Sequence, residues 1–191
     1  STLGFTWWFF VNGDIHVTIL GAIIIGSLLA FLYYNVISRK QKIFMGDSGS
    51  MIIGFVLAML AIRFMEANAP AEASKLSMPM ISAPAVVVGI LIVPVVDTLR
   101  VFFLRVSQGN SPFLADKNHI HHRLLTLGFS HIQVACILGG VNVFFIVLSF
   151  LLMNLGMLKL LGINIVLALI IFYLPAIFIR HKAHRLRKRE S

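Results

Sequence analysis

Apolar positions run along this chain in long blocks, without the alternation or helical spacing typical of a half-buried element. Five blocks carry few or no charges: residues 15–34, 51–65, 83–96, 132–153 and 160–179. A helix needs about 20 mostly apolar residues to cross a bilayer, and the two shorter blocks extend, to Ile43 and to Leu104. Residues 3–11 are typical of the end of another span. The pattern predicts an all-α integral membrane protein, a polytopic helical bundle of five full transmembrane helices plus the tail of a sixth.

Composition strengthens this prediction. Of 191 residues, 59% are hydrophobic and 12% are charged, against roughly 45–50% and about 25% in soluble domains. The chain starts at Ser1 inside an apolar stretch and lacks the basic start of a signal peptide. We therefore expect residues 1–191 to be a single transmembrane domain, the C-terminal portion of a larger polytopic protein. The one cysteine, Cys136, excludes an internal disulfide.

The distribution of basic residues predicts the orientation. Thirteen of the 16 lysines and arginines lie in residues 39–42, 100–123 and 180–189, which occupy alternate connections. The positive-inside rule places these connections and the C-terminus in the cytoplasm. The tail 180–189 is typical of a topology anchor at anionic lipid, and contact with a lipid-phosphate substrate is the alternative. Topology accounts for the net charge of +9, so we expect no nucleic-acid partner.

The stretch "KIFMGDSGSMIIG", residues 42–54, stands at the cytoplasmic start of a span. Gly46 and Gly49 permit close backbone approach, and free N–H groups at a helix N-terminus suit phosphate. Asp47 could hold Mg²⁺, which favours carboxylates and substrate phosphates. The alternative is that Asp47 only caps the helix.

Asp97 lies in "PVVDTLR", near the cytoplasmic end of its span. An acid there needs a partner or a function. Arg100 follows three residues later on the same helical face. We expect an Asp97–Arg100 ion pair in preference to direct metal ligation by Asp97.

The stretch "ADKNHIHHRLLTLG", residues 115–128, places His119, His121 and His122 between Lys117 and Arg123. If residues 118–127 are helical, His119 and His122 are neighbours at i,i+3. A structural zinc site takes four ligands, and the flanking cations oppose a metal. An anion site is therefore favoured over a solvated loop or a zinc site. Together with Asp47 on the same face, this loop fits phosphoryl transfer from a nucleotide-activated donor to a membrane acceptor.

The two motifs "FMGDSGS" and "PVVDTLRVFFLRVSQGNSPFLADKNHIHHRLLTLGFSH", in this order, resemble the polyprenyl-phosphate N-acetylhexosamine-1-phosphate transferases. The HIHH form is similar to the WecA/TagO-type branch, which is related to the phospho-N-acetylmuramoyl-pentapeptide translocases. The resemblance implies a Mg²⁺-dependent enzyme, with Mn²⁺ as a substitute, in the bacterial plasma (inner) membrane. Its donor would be a UDP-N-acetylhexosamine such as UDP-GlcNAc, its acceptor undecaprenyl phosphate, and its products UMP and a lipid-diphosphate sugar for cell-envelope glycans.

The resemblance also implies roles for single residues. Asp47 would be the catalytic Mg²⁺ ligand, Phe44 would stack at the uracil, and Asn35 would contact the nucleotide. The diphosphate and sugar would meet a second group: His119, His121, His122 and Arg123. The family's acidic motifs, an Asp-Asp pair and an Asn/Asp/Gly-rich loop, would precede Ser1, so we expect this portion alone to be inactive. Its expected partners are the donor, the polyprenyl phosphate, the bilayer and, as a candidate assembly, a second copy.

Two other functions remain open. "GDSG" also matches the G-x-S-G pattern of intramembrane serine proteases, with Ser48 as nucleophile, but such an enzyme needs a histidine base within hydrogen-bond reach. A non-catalytic scaffold or transporter part that binds lipid phosphate is the second alternative. The presence or absence of the upstream acidic motifs in the natural protein discriminates between transferase and scaffold.

Overall fold

The computed structural model describes residues 1–38, 43–109, 111 and 119–190, with secondary structure only for residues 36–37 and 174–190. The described residues form helices and turns without a strand. A π-helical turn spans Tyr33–Ile37 and a 3₁₀ turn spans Ala73–Lys75. The helices are α1 (Thr2–Val11), α2 (Ile15–Leu32), α3 (Gly46–Ala67), α4 (Ala83–Ile90), α5 (Ile92–Ser107), α6 (Ile120–Thr126), α7 (His131–Leu151) and α8 (Met157–Glu190).

Three of these helices are long and apolar enough to cross a bilayer: Ile15–Asn35, Gly46–Ala67 and His131–Leu151. The pair α4 and α5 qualifies as a fourth if it is one broken span. The fifth predicted span falls in α8, whose described apolar part, Met157–Tyr173, is shorter. The prediction of a helical membrane protein is confirmed, with three to four candidate spans among the described residues.

At one end of the bundle, α1 packs against α2 and α3 and carries large aromatic side chains into the core. Phe5, Trp8 and Phe9 are almost fully buried, and the Trp8 ring lies 4.4 Å from that of Phe64 in α3. Trp8 Nε1 also donates to the Met78 carbonyl at 3.2 Å, so the tryptophan holds the loop after α3 as well. A buried tryptophan normally finds such an acceptor for its N–H.

Ion pairs close the same end. Arg63 lies 3.5 Å from Asp14, which caps α2 through the Val17 N–H, and 3.3 Å from Glu66. These contacts bring the turn before α2 to the end of α3, as expected if the two helices cross in opposite directions. The start of α3 then lies at the other end of that helix, with residues 43–45 just before it.

The span predicted over residues 83–104 is not one straight helix, because the chain bends by 73° between α4 and α5. Pro94 has no N–H to donate to the Ile90 carbonyl one turn earlier, so the helical hydrogen bond is lost there. Asn142 of α7 fills the gap, since its Nδ2 donates to that carbonyl at 3.1 Å. The Ser1 hydroxyl donates to the same oxygen at 2.9 Å. A broken helix whose free carbonyl is satisfied by its neighbours is a stable arrangement inside a membrane.

A buried polar contact fixes the other side of α4. Asn164 of α8 and Ser149 of α7 are fully buried, and Asn164 Nδ2 donates to the Ala85 carbonyl and to the Ser149 hydroxyl, each at 3.2 Å. Gly89 makes this approach feasible, because a Cβ there would collide with the Ser149 hydroxyl. Small residues at such contacts let membrane helices pack closely.

Candidate functional site

Helix α6 presents two unlike faces. Ile120 and Leu124, four residues apart, are buried against Val134 of α7 and Phe172 of α8. The residues between them, His121–Arg123, therefore project from the rest of the helix surface. The apolar pair fixes the short helix across the ends of three longer ones, so its polar side chains have a defined position.

Asp97 of α5 holds the start of α6. Its Oδ1 accepts the Ile120 backbone N–H at 2.8 Å, and its Oδ2 lies 3.0 Å from His119 Nδ1. Arg100 donates to Oδ1 at 3.4 Å, which confirms the predicted ion pair. The carboxylate is only 14% exposed, and the Ile120 N–H, the Arg100 guanidinium and the His119 ring surround this mostly buried group.

The three imidazoles form a continuous group. The His119 and His121 rings are stacked with centroids 6.0 Å apart, and the His121 and His122 centroids are 4.1 Å apart. The predicted pairing of His119 with His122 across one helical turn differs from this order. His119 precedes the helix with an extended backbone, φ −58° and ψ 151°, so its side chain leaves in another direction.

The pKa of His121 is lowered from its ordinary value. Partial removal of the ring from water is the largest cause, because it disfavours the charged form. The nearby imidazoles of His122, His119 and His131 act in the same direction, while the Asp97 carboxylate opposes them. The geometry therefore favours a neutral imidazole at the centre of the group when no anion is bound.

The first turn of α3 carries a carboxylate, that of Asp47, that has no partner among the described residues. The helix begins at Gly46, whose φ of +67° suits glycine, after the N-cap residue Met45. The interpretation of Asp47 as a cap is wrong, because no side chain makes a cap hydrogen bond at this end. Its side chain is exposed and makes no hydrogen bond or ion pair with any described residue. Neither carboxylate oxygen is therefore occupied by a described residue.

Phe44, three residues earlier, is 91% exposed, the highest value among the large apolar side chains described. An aromatic ring in that position offers a free face for stacking. Asn35 is committed in part, since its Nδ2 donates to the Phe31 carbonyl at 3.0 Å. The side-chain oxygen of Asn35 makes no hydrogen bond to a described residue.

The described residues keep these two groups separate. No hydrogen bond, ion pair or ring contact among them joins Phe44 or Asp47 to the histidines of α6. No group of three or more His, Cys, Asp and Glu in the described ranges is arranged to hold a metal ion. Asp47 can therefore supply one carboxylate ligand, which fits Mg²⁺ bound mainly by phosphate and water. The predicted basic contributions of Arg39, Lys40, Lys42 and Lys117 lie outside the described residues, as do the side chains of the tail 180–189.

Asp97 is the functional candidate whose role the sequence analysis missed. Its pairing with Arg100 follows from helical spacing, but His119 lies 22 positions away. The signal that could have revealed it is the cost of a carboxylate near the end of a span, beside a short helix that has no capping side chain of its own.

The fold and this site define a helical membrane protein with a histidine- and arginine-bearing surface at one end of its bundle. Residues 1–65 match the model of the family described as glycosyl transferase family 4. No solved structure matches the chain.

Curated relatives carry more specific names. The chain is 36% identical over 124 residues to a decaprenyl-phosphate N-acetylglucosaminephosphotransferase of Mycobacterium leprae, covering 63% of this chain and 30% of that protein. It is 28% identical over 152 residues to an undecaprenyl-phosphate alpha-N-acetylglucosaminyl 1-phosphate transferase of Salmonella typhi, covering 75% of this chain and 38% of that protein. The chain thus spans about a third of their length. The resemblance to the polyprenyl-phosphate N-acetylhexosamine-1-phosphate transferases is confirmed over part of the chain.

Proposed function

We propose that the protein to which this chain contributes transfers an N-acetylhexosamine 1-phosphate, GlcNAc-1-phosphate first among them, from a UDP-sugar to undecaprenyl phosphate. The reaction would be the first membrane step of cell-envelope glycan synthesis, with the site on the cytoplasmic face. The observation that carries the proposal is the fixed surface of three imidazoles and Arg123, anchored by Asp97 at the end of a membrane-spanning bundle. The names of the relatives support the same general reaction.

A groove beside this surface supports an acceptor with an apolar chain. It has a volume of about 710 Å³ and lies between α5 and α8. Apolar side chains such as Leu99, Phe103 and Leu169 line it, and Arg100 borders it. Because Arg100 also contacts Asp97, the groove leads from the apolar flank of the bundle to the histidine group. A prenyl chain in the groove would bring its phosphate towards cationic and hydrogen-bonding side chains.

The proposed chemistry is a displacement at the β-phosphorus of the donor. A phosphate oxygen of the lipid forms a new bond to that phosphorus, and the bond to the bridging oxygen breaks. UMP leaves with the bridging oxygen, and the lipid keeps the sugar on a diphosphate. Such transfers depend on positioning and on neutralisation of charge, which is the work assigned to His119, His121, His122 and Arg123.

The α3 end would bind the nucleotide side of the donor. The exposed carboxylate of Asp47 would hold Mg²⁺, which would supply positive charge to the diphosphate. The exposed ring of Phe44 would stack at the uracil. The remaining side-chain oxygen of Asn35 would accept a hydrogen bond from the nucleotide.

The deciding experiment measures UMP release by the full-length protein in membranes supplied with UDP-GlcNAc, undecaprenyl phosphate and Mg²⁺. We expect Asp47→Asn to reduce release by about 10²-fold or more, because the amide loses the charge that holds the metal. A panel of UDP-sugars in the same assay identifies the donor. Near-normal release by Asp47→Asn would contradict the metal assignment, and the absence of release by the unchanged protein with every donor would favour the scaffold.

Two variants serve as controls. Ser48→Ala alters the neighbouring residue, whose hydroxyl makes no hydrogen bond to a described histidine, and should keep most of the activity. Asp14→Asn makes the same chemical change at the opposite end of the bundle and should also remain active. Loss of function in Ser48→Ala together with a peptide product would instead support the protease.

A further inference from the structure

We propose that Asp97 is a positioning residue that sets the tautomer and the direction of His119, an inference that rests on the proposed function of the histidine group. One buried carboxylate holds both the backbone at the start of α6 and the ring of the first histidine. The Asp97 side chain thereby determines which nitrogen of His119 faces the substrate.

The hydrogen-bond balance at Asp97 defines the tautomer. An ionised carboxylate can only accept hydrogen bonds. Oδ1 already accepts from the Ile120 N–H and from Arg100, and Oδ2 faces His119 Nδ1 at 3.0 Å. The proton must therefore sit on Nδ1, which leaves Nε2 without one in the neutral ring.

This arrangement matters for an anionic donor. When His119 takes up a second proton, Nε2–H becomes a donor directed away from Asp97, and the carboxylate compensates the new charge. A hydrogen bond from a charged group to phosphate is shorter and stronger than a neutral one. In the other tautomer, with the proton on Nε2, the unprotonated Nδ1 would face Asp97. The hydrogen bond from the ring to the carboxylate would then be lost.

The same carboxylate couples the ring to the helix break. Asp97 lies on α5, whose direction is set at Ile90 by Pro94 and Asn142. Its bond to the Ile120 N–H ties α6 to that direction. The histidine group therefore follows α5, and Asp97 is the link between a membrane helix and the surface site.

The test uses Asp97→Asn in the full-length protein. The Asn carbonyl oxygen can still accept the Ile120 N–H, so α6 stays docked, while its amide NH₂ faces Nδ1. We expect the ring proton to move from Nδ1 to Nε2, measured by ¹⁵N NMR of histidine-labelled protein in nanodiscs. Loss of the signal in His119→Gln assigns the resonance.

Catalysis provides the second readout. We expect kcat for UMP release to fall by about 10–100-fold. This fall is smaller than the one that complete removal of a hydrogen-bond donor to the transition state would cause. KM for undecaprenyl phosphate should change less than twofold, because the apolar side chains that line the groove are unchanged. Asp14→Asn, which changes a cap and ion pair at the far end, should alter neither the tautomer nor kcat.

The outcomes separate the two proposals. A neutral His119 ring in the unchanged protein whose single proton sits on Nε2 overturns the role of Asp97, whether or not the protein is active and whether or not the variant folds. Equal kcat in an active protein and its Asp97→Asn variant also overturns it. Absence of UMP release with an Nδ1 proton in place would refute the proposed function and leave the tautomer assignment standing.

Discussion

His121 shows how the site responds to protons at the scale of one residue. Partial loss of water and the three histidines around it lower its pKa, and Asp97 opposes them less strongly. A lowered pKa means that the folded site binds a proton less readily than an unfolded or detached chain does. Linkage then requires that protons favour detachment of α6.

The sign gives a testable pH dependence. The contribution of His121 to docking of α6 is complete above the ordinary histidine pKa of about 6.5 and declines as the pH falls below it. Hydrogen exchange of residues 119–127, corrected for intrinsic rates, should therefore be faster at about pH 5.5 than at about pH 7.5. His121→Gln should reduce this difference. His16→Gln in α2 is the matched control and should retain it; an unchanged pH dependence in His121→Gln would contradict the assignment.

Residue-scale predictions succeeded where spacing alone decides them. Asp97 and Arg100 are three apart on one helix, so their contact follows from helical geometry. The ring order of the histidines did not follow, because it depends on the extended backbone of His119. That conformation results from docking of α6 against other helices, which a local pattern does not record.

At the scale of elements, the break between α4 and α5 governs the site. The Ile90 carbonyl has no helical donor because Pro94 lacks an N–H, and Asn142 of α7 donates a hydrogen bond to this carbonyl instead. Pro94 was visible in the sequence, but its consequence was not, since a proline in a membrane helix can also leave only a mild kink. A donor on a neighbouring helix is what makes a bend of 73° tolerable.

Asn142→Leu should destabilise this break. The substitution removes one donor to the Ile90 carbonyl and leaves the Ser1 hydroxyl. We therefore expect the free energy of unfolding to fall by an amount near the lower end of about 1–3 kcal/mol. Thermal unfolding in detergent measures it. Asn154→Leu, the same change at an exposed residue beyond α7, is the control and should have little effect.

A second substitution separates stability from position. Pro94→Ala restores an N–H for the Ile90 carbonyl, so the double variant with Asn142→Leu should recover thermal stability while the helix straightens. Asp97 would then move relative to α6, and UMP release should stay low. Recovery of both stability and activity would show that the bend is not needed for the site.

At the scale of the whole molecule, the bundle has one end closed by ion pairs and one end carrying the site candidates. Arg63 bridges Asp14 and Glu66 at the first end. The apolar blocks predicted most of the helices, because the thickness of the bilayer sets the number of apolar residues that a spanning helix needs and such long runs are visible in the sequence. That the start of α3 and the histidine surface share the second end is inferred only from successive helices crossing the membrane in alternating directions. The orientation of the bundle is a prediction from the distribution of basic residues.

Accessibility of single cysteines tests both points. With Cys136 replaced by alanine, three exposed positions report the two ends: Ser48→Cys, Gln108→Cys and Ser74→Cys. In intact cells an impermeant maleimide should label the cysteine at position 74, in the loop after α3, and should reach those at positions 48 and 108 only after permeabilisation. Labelling at 48 and 108 in intact cells, without labelling at 74, would preserve the shared face but invert the orientation. Opposite behaviour of 48 and 108 would place α3 and α6 at different ends, which would separate Asp47 from the histidines and remove the physical basis for a common donor site.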